Sequence, residues 1–222
     1  MTTRNAKTLS GLHVIAGIAV FAAMTFTLWE IWEGIRDREP LTVTDVQFST
    51  WLHVHQAPRL TAAMFAVTYL GSTQVVSSIA AAFGLYFISR RRFYWLAALL
   101  SSVFGGMLLN KLLKYAVHRP RPFFDNPLLT LTSYSFPSGH TMMATTLYAV
   151  IATYLFAKTP ELRLRVPIIL GASLIILSVG FSRIYLGAHY LSDVIAAMAE
   201  GLAWLSLCLT VIYSIRRQRT AR

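Results

Sequence analysis

Six apolar runs divide the chain, each close to the roughly 20 residues that a helix needs to cross a bilayer. They cover residues 9–31, 60–88, 94–117, 140–157, 166–185 and 188–213. They predict an all-α integral membrane protein with six transmembrane helices in one bundle. The second run is longer than a bilayer is thick, which predicts a tilted span or one that extends past the membrane. No internal repeat or low-complexity stretch breaks the pattern, so residues 1–222 read as one domain. Between the runs, the stretches that hold unusual polar residues are an outer loop at about 32–58, a loop at about 117–140, and the segment 182–193.

Composition agrees with this reading. The chain is 55% hydrophobic and only 13% charged, where a soluble domain carries about a quarter charged residues. In a soluble protein the net charge of +11 would point to nucleic acid. Here much of the basic charge flanks apolar runs, as topology signals do, so no nucleic-acid partner is expected. Arg4 and Lys7; Arg90, Arg91 and Arg92; Lys158, Arg163 and Arg165; and Arg216, Arg217, Arg219 and Arg222 fall at one set of span ends, twelve of the 20 basic residues. The positive-inside rule then predicts both termini in the cytoplasm, with the loop at 117–137 and the turn at 185–188 on the far side. Arg4 and Lys7 before an apolar run resemble a signal peptide. The run continues to the tryptophans at 29 and 32 without an A-x-A site, which predicts a retained helix. The single cysteine, Cys208, lies inside the last run and rules out an intrachain disulfide.

The first outer loop mixes Glu33, Arg36, Asp37, Arg38, Glu39 and Asp45. Residues 46–52 predict a short amphipathic helix at the interface, with Trp51 at headgroup depth; an anchoring role is favoured over a lid.

Three clusters carry chemistry, and all map to the same face. The segment S-R-I-Y-L-G-A-H-Y-L-S-D (182–193) sets Arg183, His189 and Asp193 at the edge of apolar runs, where charge is costly. His189 and Asp193 are four apart and share a helix face. A carboxylate there fixes the imidazole tautomer and leaves the other nitrogen as base or nucleophile. Gly187 lets the chain bend between Arg183 and His189. The second cluster is K-Y-A-V-H-R-P-R-P (114–122), where Lys114 ends a span and the prolines hold Arg119 and Arg121 on a stiff loop. Taken alone, it also fits basic residues snorkelling to headgroups. The third is F-P-S-G-H (136–140). Pro137 and Ser138 suit a helix start, whose free N–H groups attract an anion, Gly139 allows close approach, and His140 is placed to protonate what binds. A guanidinium matches phosphate oxygens, so the three clusters together predict a phosphate site. No Cys/His or carboxylate set has metal spacing, which argues against a metal enzyme and leaves no cofactor to assign.

These residues resemble a known family. Lys114-x6-Arg121-Pro122, Pro137-Ser138-Gly139-His140 and Ser182-Arg183-x5-His189-x3-Asp193 are similar to the three-part signature of the type 2 phosphatidic-acid phosphatase superfamily, in its membrane lipid phosphatase branch. The resemblance implies that Lys114, Arg121 and Arg183 hold the phosphate, aided by Ser138 and the Gly139 N–H. It implies that His189 attacks phosphorus to form a phosphohistidine, that Asp193 orients it, and that His140 protonates the leaving oxygen. It further implies a metal-independent enzyme of the inner membrane whose substrate is a lipid phosphate or diphosphate. The candidates are undecaprenyl diphosphate and phosphatidylglycerol phosphate, which the resemblance favours, then phosphatidic acid and lipid A phosphates. A phosphotransferase with the same intermediate and a non-enzymatic anionic-lipid carrier stay open, although the His189–Asp193 pair speaks against the carrier. A soluble haloperoxidase, which holds vanadate with a similar set, is disfavoured by the six runs.

Outside these matches, Arg119 is expected to support the site or meet a headgroup, and His118 to face solvent or headgroups. His53 and His55 make a poor metal pair, and His13 packs or snorkels. Glu200, in the last span, is expected to face the bundle and pair with a polar group such as Lys111.

Overall fold

In a computed structural model the chain is helical throughout its regular structure, with residues 3–37 and 40–220 described and side chains from residue 11 to 219. Arg38, Glu39 and Arg222, used above for charge and topology, lie outside the described residues, as do the side chains of Arg4 and Lys7. The helices are α1 (Thr3–Arg36), α2 (Pro40–Val54), α3 (Pro58–Thr68), α4 (Thr73–Ser89), α5 (Phe93–Val117), α6 (Gly139–Lys158), α7 (Leu162–Tyr185) and α8 (Leu191–Thr220).

Local chemistry sets most of the ends. Pro40 and Pro58 open α2 and α3, where a missing N–H costs nothing. The Ser72 side chain accepts from Val75 N–H and caps α4. His118 closes α5 in the left-handed conformation, and Pro120 and Pro122 keep the following chain from resuming a helix.

Among the described residues four helices are long and apolar enough to cross a membrane, or five if α3 and α4 form one span bent by 45°. The sequence predicts one continuous run at 60–88. The structure breaks it at a turn (Tyr69–Gly71) followed by the Ser72 cap. The fourth predicted run, α6, falls short in hydropathy because it is the centre of the bundle, against α5, α7 and α8. Thr141, Thr145 and Thr146 are buried along it and meet protein, so they need not be as apolar as a lipid-facing residue. Val76, Leu99, Val103, Met142, Leu147, Val150, Ala197 and Leu205 form the main core around it. Outward side chains such as Ile15, Phe26, Leu170 and Leu174 are apolar and exposed, as a lipid-facing wall requires.

The first outer loop corrects an expectation. The helix there is longer than residues 46–52, running over Pro40–Val54, and one face of it is docked on the bundle. Asp45, Ser49 and Leu52 are buried on one face, while Trp51 is exposed. Leu52 and Phe48 join a second apolar cluster with Ile184, Tyr185, Leu186 and Val194. The Tyr185 hydroxyl accepts from Ala57 N–H at 2.9 Å, tying the start of α3 to the end of α7.

Candidate active site

One end of the bundle gathers the C-terminal ends of α5 and α7, the N-terminal ends of α6 and α8, and helix α2. Each position follows from a helix terminus. The α7–α8 turn reverses because Gly187 takes a φ of +70°, which glycine adopts without strain. The N–H groups of Ala188 and His189 then both donate to the Arg183 carbonyl, at 3.0 and 3.2 Å. This fold-back brings His189 against the first turn of α8.

His189 is buried, with Nδ1 3.5 Å from Asp193 Oδ2, wider than a good hydrogen bond. On the other side of the ring, Arg121 Nη1 lies 3.3 Å from Nε2. A guanidinium only donates, so Nε2 accepts and the ring proton sits on Nδ1, facing the carboxylate. Burial, opposed by Asp193 and reinforced by Arg121 and Arg183, lowers the His189 pKa to about 3. The ring is therefore neutral at physiological pH, with a lone pair on Nε2.

Arg121 is held by Ser133, whose carbonyl accepts from Nε at 2.6 Å and whose hydroxyl accepts from Nη2 at 2.9 Å, and by the Ala188 carbonyl, which accepts from Nη1 at 2.5 Å. Burial lowers its pKa, with Asp193 opposing, and a guanidinium keeps its charge in proteins. Lys114 Nζ donates to the carbonyls of Tyr134 (2.8 Å) and Pro137 (3.0 Å), which pins the 118–138 loop to α5. Arg183 is buried, and its Nη1 donates to Thr68 Oγ1 at 2.8 Å.

Ser138 is the N-cap of α6. Its hydroxyl pairs with Thr141 Oγ1 at 2.9 Å rather than with the backbone, and its N–H donates to the Asp193 carbonyl at 3.1 Å. The first bond of α6 runs from Met142 N–H to Ser138 C=O, so the N–H groups of Gly139, His140 and Thr141 precede the intrahelical ladder. A Cβ on Gly139 would meet only Asn110 Oδ1, at 3.5 Å, so packing does not demand glycine there. The half-buried His140 follows, within electrostatic reach of Arg183, Arg121 and Lys114. The structure thus brings all eight sequence-predicted site residues to one end.

Arg119 goes further than a supporting or headgroup-facing residue. Buried, it donates to Asp193 Oδ1 (2.6 Å), Ser192 Oγ (2.7 Å) and Asp45 Oδ2 (2.8 Å), with the Tyr190 ring 4.4 Å away. Burial lowers its pKa, but Asp193 and Asp45 outweigh that and raise it overall. Asp45 and Ser192 escaped the sequence reading. The available signal was Asp45, Ser49 and Leu52 at i, i+4 and i+7, one face of a helix.

Glu200 is buried and pairs with a polar group, as expected, but the partner is Asn110 rather than Lys111. Lys111 points outward, and Glu200 Oε2 accepts from Asn110 Nδ2 at 2.7 Å. The two positions share a turn of α5, and it is Asn110 that faces the bundle interior. His118 is exposed and sits edge-on to Tyr134, His53 stacks on Phe124, His55 stacks on Trp51, and His13 packs near Tyr213. Among the described residues, no three His, Cys, Asp or Glu side chains cluster as metal ligands would.

Comparison with known proteins points the same way. The sequence profile of the PAP2 superfamily matches residues 95–217. Over 164 residues the chain is 36% identical to phosphatidylglycerophosphatase B of Bacillus subtilis, covering 73% of this chain and 80% of that protein. Over 131 residues it is 38% identical to a lipid A 1-phosphatase of Rhizobium etli, covering 54% of this chain and 51% of that protein. The crystal structure of a transmembrane PAP2-type phosphatidylglycerolphosphate phosphatase from Bacillus subtilis superposes with a TM-score of 0.75 at 28% identity, covering 91% of this chain and 96% of that one.

Proposed function

Because this chain belongs to the PAP2 superfamily, we propose that it is a membrane lipid phosphatase that works through a phosphohistidine on His189, with phosphatidylglycerol phosphate as its first candidate substrate. The observation that carries the reading is the His189 ring, with Nδ1 toward Asp193 and Nε2 toward Arg121.

In this reading Lys114, Arg121 and Arg183 hold the phosphate oxygens and offset the charge that builds on them. The N–H of Gly139 and the hydroxyl of Ser138 add hydrogen bonds at the start of α6. His189 Nε2 forms a bond to phosphorus as the bond to the lipid oxygen breaks, and a protonated His140 gives its proton to that oxygen. Asp193 stabilises the now positive ring. His140, left neutral, takes a proton from water; the hydroxide attacks phosphorus, the P–N bond breaks and inorganic phosphate leaves. Three cationic side chains supply the positive charge that other phosphatases take from metal ions.

The reading includes six spans, with α6 as the span hidden from lipid, in a single domain over residues 1–222. Both termini are cytoplasmic, the site faces outward, and the membrane is the inner one. The preference for phosphatidylglycerol phosphate rests on the relative that matches over most of its length.

The test is phosphate release by purified wild type and His189→Ala in detergent with EDTA. The panel is phosphatidylglycerol phosphate, undecaprenyl diphosphate, phosphatidic acid and a lipid A phosphate. Release that survives EDTA, ranks phosphatidylglycerol phosphate first and vanishes in the variant is expected. Label passing to a second lipid instead of water would make it a phosphotransferase, and full activity in His189→Ala would overturn the mechanism.

A further inference from the structure

We infer that Asp45 on α2 is a positioning residue for the His189–Asp193 pair and acts through Arg119. The inference rests on the reading of that pair as the nucleophile and its partner.

The geometry ties α2 to the pair through one guanidinium. Arg119 sits between two carboxylates, Asp45 Oδ2 on one edge and Asp193 Oδ1 on the other. Both acids are almost fully buried, at 1% and 0% exposure, so neither has water as an alternative partner. Asp45 also accepts from both the N–H and the hydroxyl of Ser192, so a carboxylate from α2 caps the first turn of α8. Asp193 has its other oxygen on Tyr190 N–H at 2.9 Å, the oxygen that faces His189 Nδ1. Each atom that aims the Asp193 carboxylate is thereby fixed by a residue that Asp45 holds or by the adjacent backbone.

Charge makes the sharing matter. As long as Asp45 takes one edge of the guanidinium, Asp193 is only partly neutralised and keeps negative charge for the imidazole. Without the Asp45 charge, the freed edge of Arg119 can turn onto Asp193, rotating it and neutralising it further. His189 would then face Arg121 and Arg183 with less opposing charge, so its positive, phosphorylated form would be less stable. Asp45 lies behind the pair, away from the phosphate-facing Nε2. Its loss should therefore lower kcat and leave KM nearly unchanged.

The experiment compares Asp45→Asn, Arg119→Lys and Leu52→Ala with wild type, in full-length protein in detergent. It records melting temperature, kcat and KM on a lipid phosphate, and the side-chain signal of His189 in histidine-labelled protein, assigned with His189→Gln. Leu52→Ala loosens α2 through its apolar face and leaves the ion pairs intact. Asp45→Asn is expected to lower kcat by at least about tenfold with KM within about twofold, and to shift the His189 signal. Arg119→Lys, which cannot bridge two carboxylates with one planar fork, is expected to act the same way and to add little to Asp45→Asn. Leu52→Ala is expected to lower only the melting temperature. An unchanged His189 signal in both Asp45→Asn and Arg119→Lys, or an equal fall of kcat in Leu52→Ala, would overturn the inference. A wild type that hydrolyses none of the lipids, with the His189 signal still shifting, would sink the phosphatase reading and leave the positioning role standing.

Discussion

Burial holds the His189 ring neutral down to a pKa of about 3, against about 6.5 in an unfolded chain. Between those values the unfolded chain binds a proton that the folded chain does not. Stability contributed at neutral pH is therefore lost as pH falls from about 6.5 toward 3, and this group adds no slope above that window. We expect the melting temperature of the solubilised protein to fall between pH 6.5 and 4, and His189→Asn to fall less steeply. The difference is bounded by about 1.4 kcal/mol per pH unit for one group. Equal slopes in the two proteins would assign the acid sensitivity elsewhere. The same residue shows what local sequence can reveal. The i, i+4 spacing to Asp193 puts a carboxylate by the ring, and Gly187 marks the turn, but the arginine behind that carboxylate and the aspartate behind the arginine come from elsewhere in the chain. Asp45 and Arg119 are 74 residues apart, and no spacing rule reaches that far.

The bend between α3 and α4 acts directly on the first turn of α6. A Cβ on Gly71 would stand 2.6 Å from the His140 carbonyl oxygen and 2.6 Å from Val179 Cγ1, contacts with two different helices, the first with a backbone atom that no side-chain flip can move. Gly71→Ala is expected to push the start of α6 away. Phosphatase activity should fall by on the order of tenfold or more, as a misplacement near 1 Å does, together with a loss of melting temperature. Gly171→Ala, with nothing within 4 Å, is the control and should lower neither. Normal activity in Gly71→Ala would show that the bend does not position His140. Hydropathy reads α3 and α4 as one run because it averages over residues, whereas a Gly-Ser break and its cap concern two positions. It underrates α6 for a related reason: an apolar score measures fitness for lipid, and α6 is surrounded by helices.

In the assembled bundle two of the basic residues used for topology lie at the end away from the site: Arg216 is 5.6 Å from the Tyr94 ring at the start of α5, and Arg165 packs on Phe156 at the end of α6. Tyr213 and His13 meet at that same end, so α8 finishes beside the beginning of α1. This supports termini that share one side of the membrane. In a Cys208→Ser background, Asp125→Cys is expected to react with a membrane-impermeant maleimide added to intact cells, and Arg91→Cys only after the membrane is opened. The reverse pattern would invert the proposed orientation.

The apolar helices and the three polar clusters could be read from the chain because each depends on neighbours within a turn or two. A helix that meets lipid must be apolar along its length, a helix start leaves its N–H groups open, and residues four apart share a face. The break at Ser72, the choice of Asn110 over Lys111 for Glu200, and the docking of α2 through Asp45 were set by packing. Each required knowing which side of one helix faces another, and burial makes that choice decisive: a carboxylate shut away from water takes whatever donor the fold brings to it.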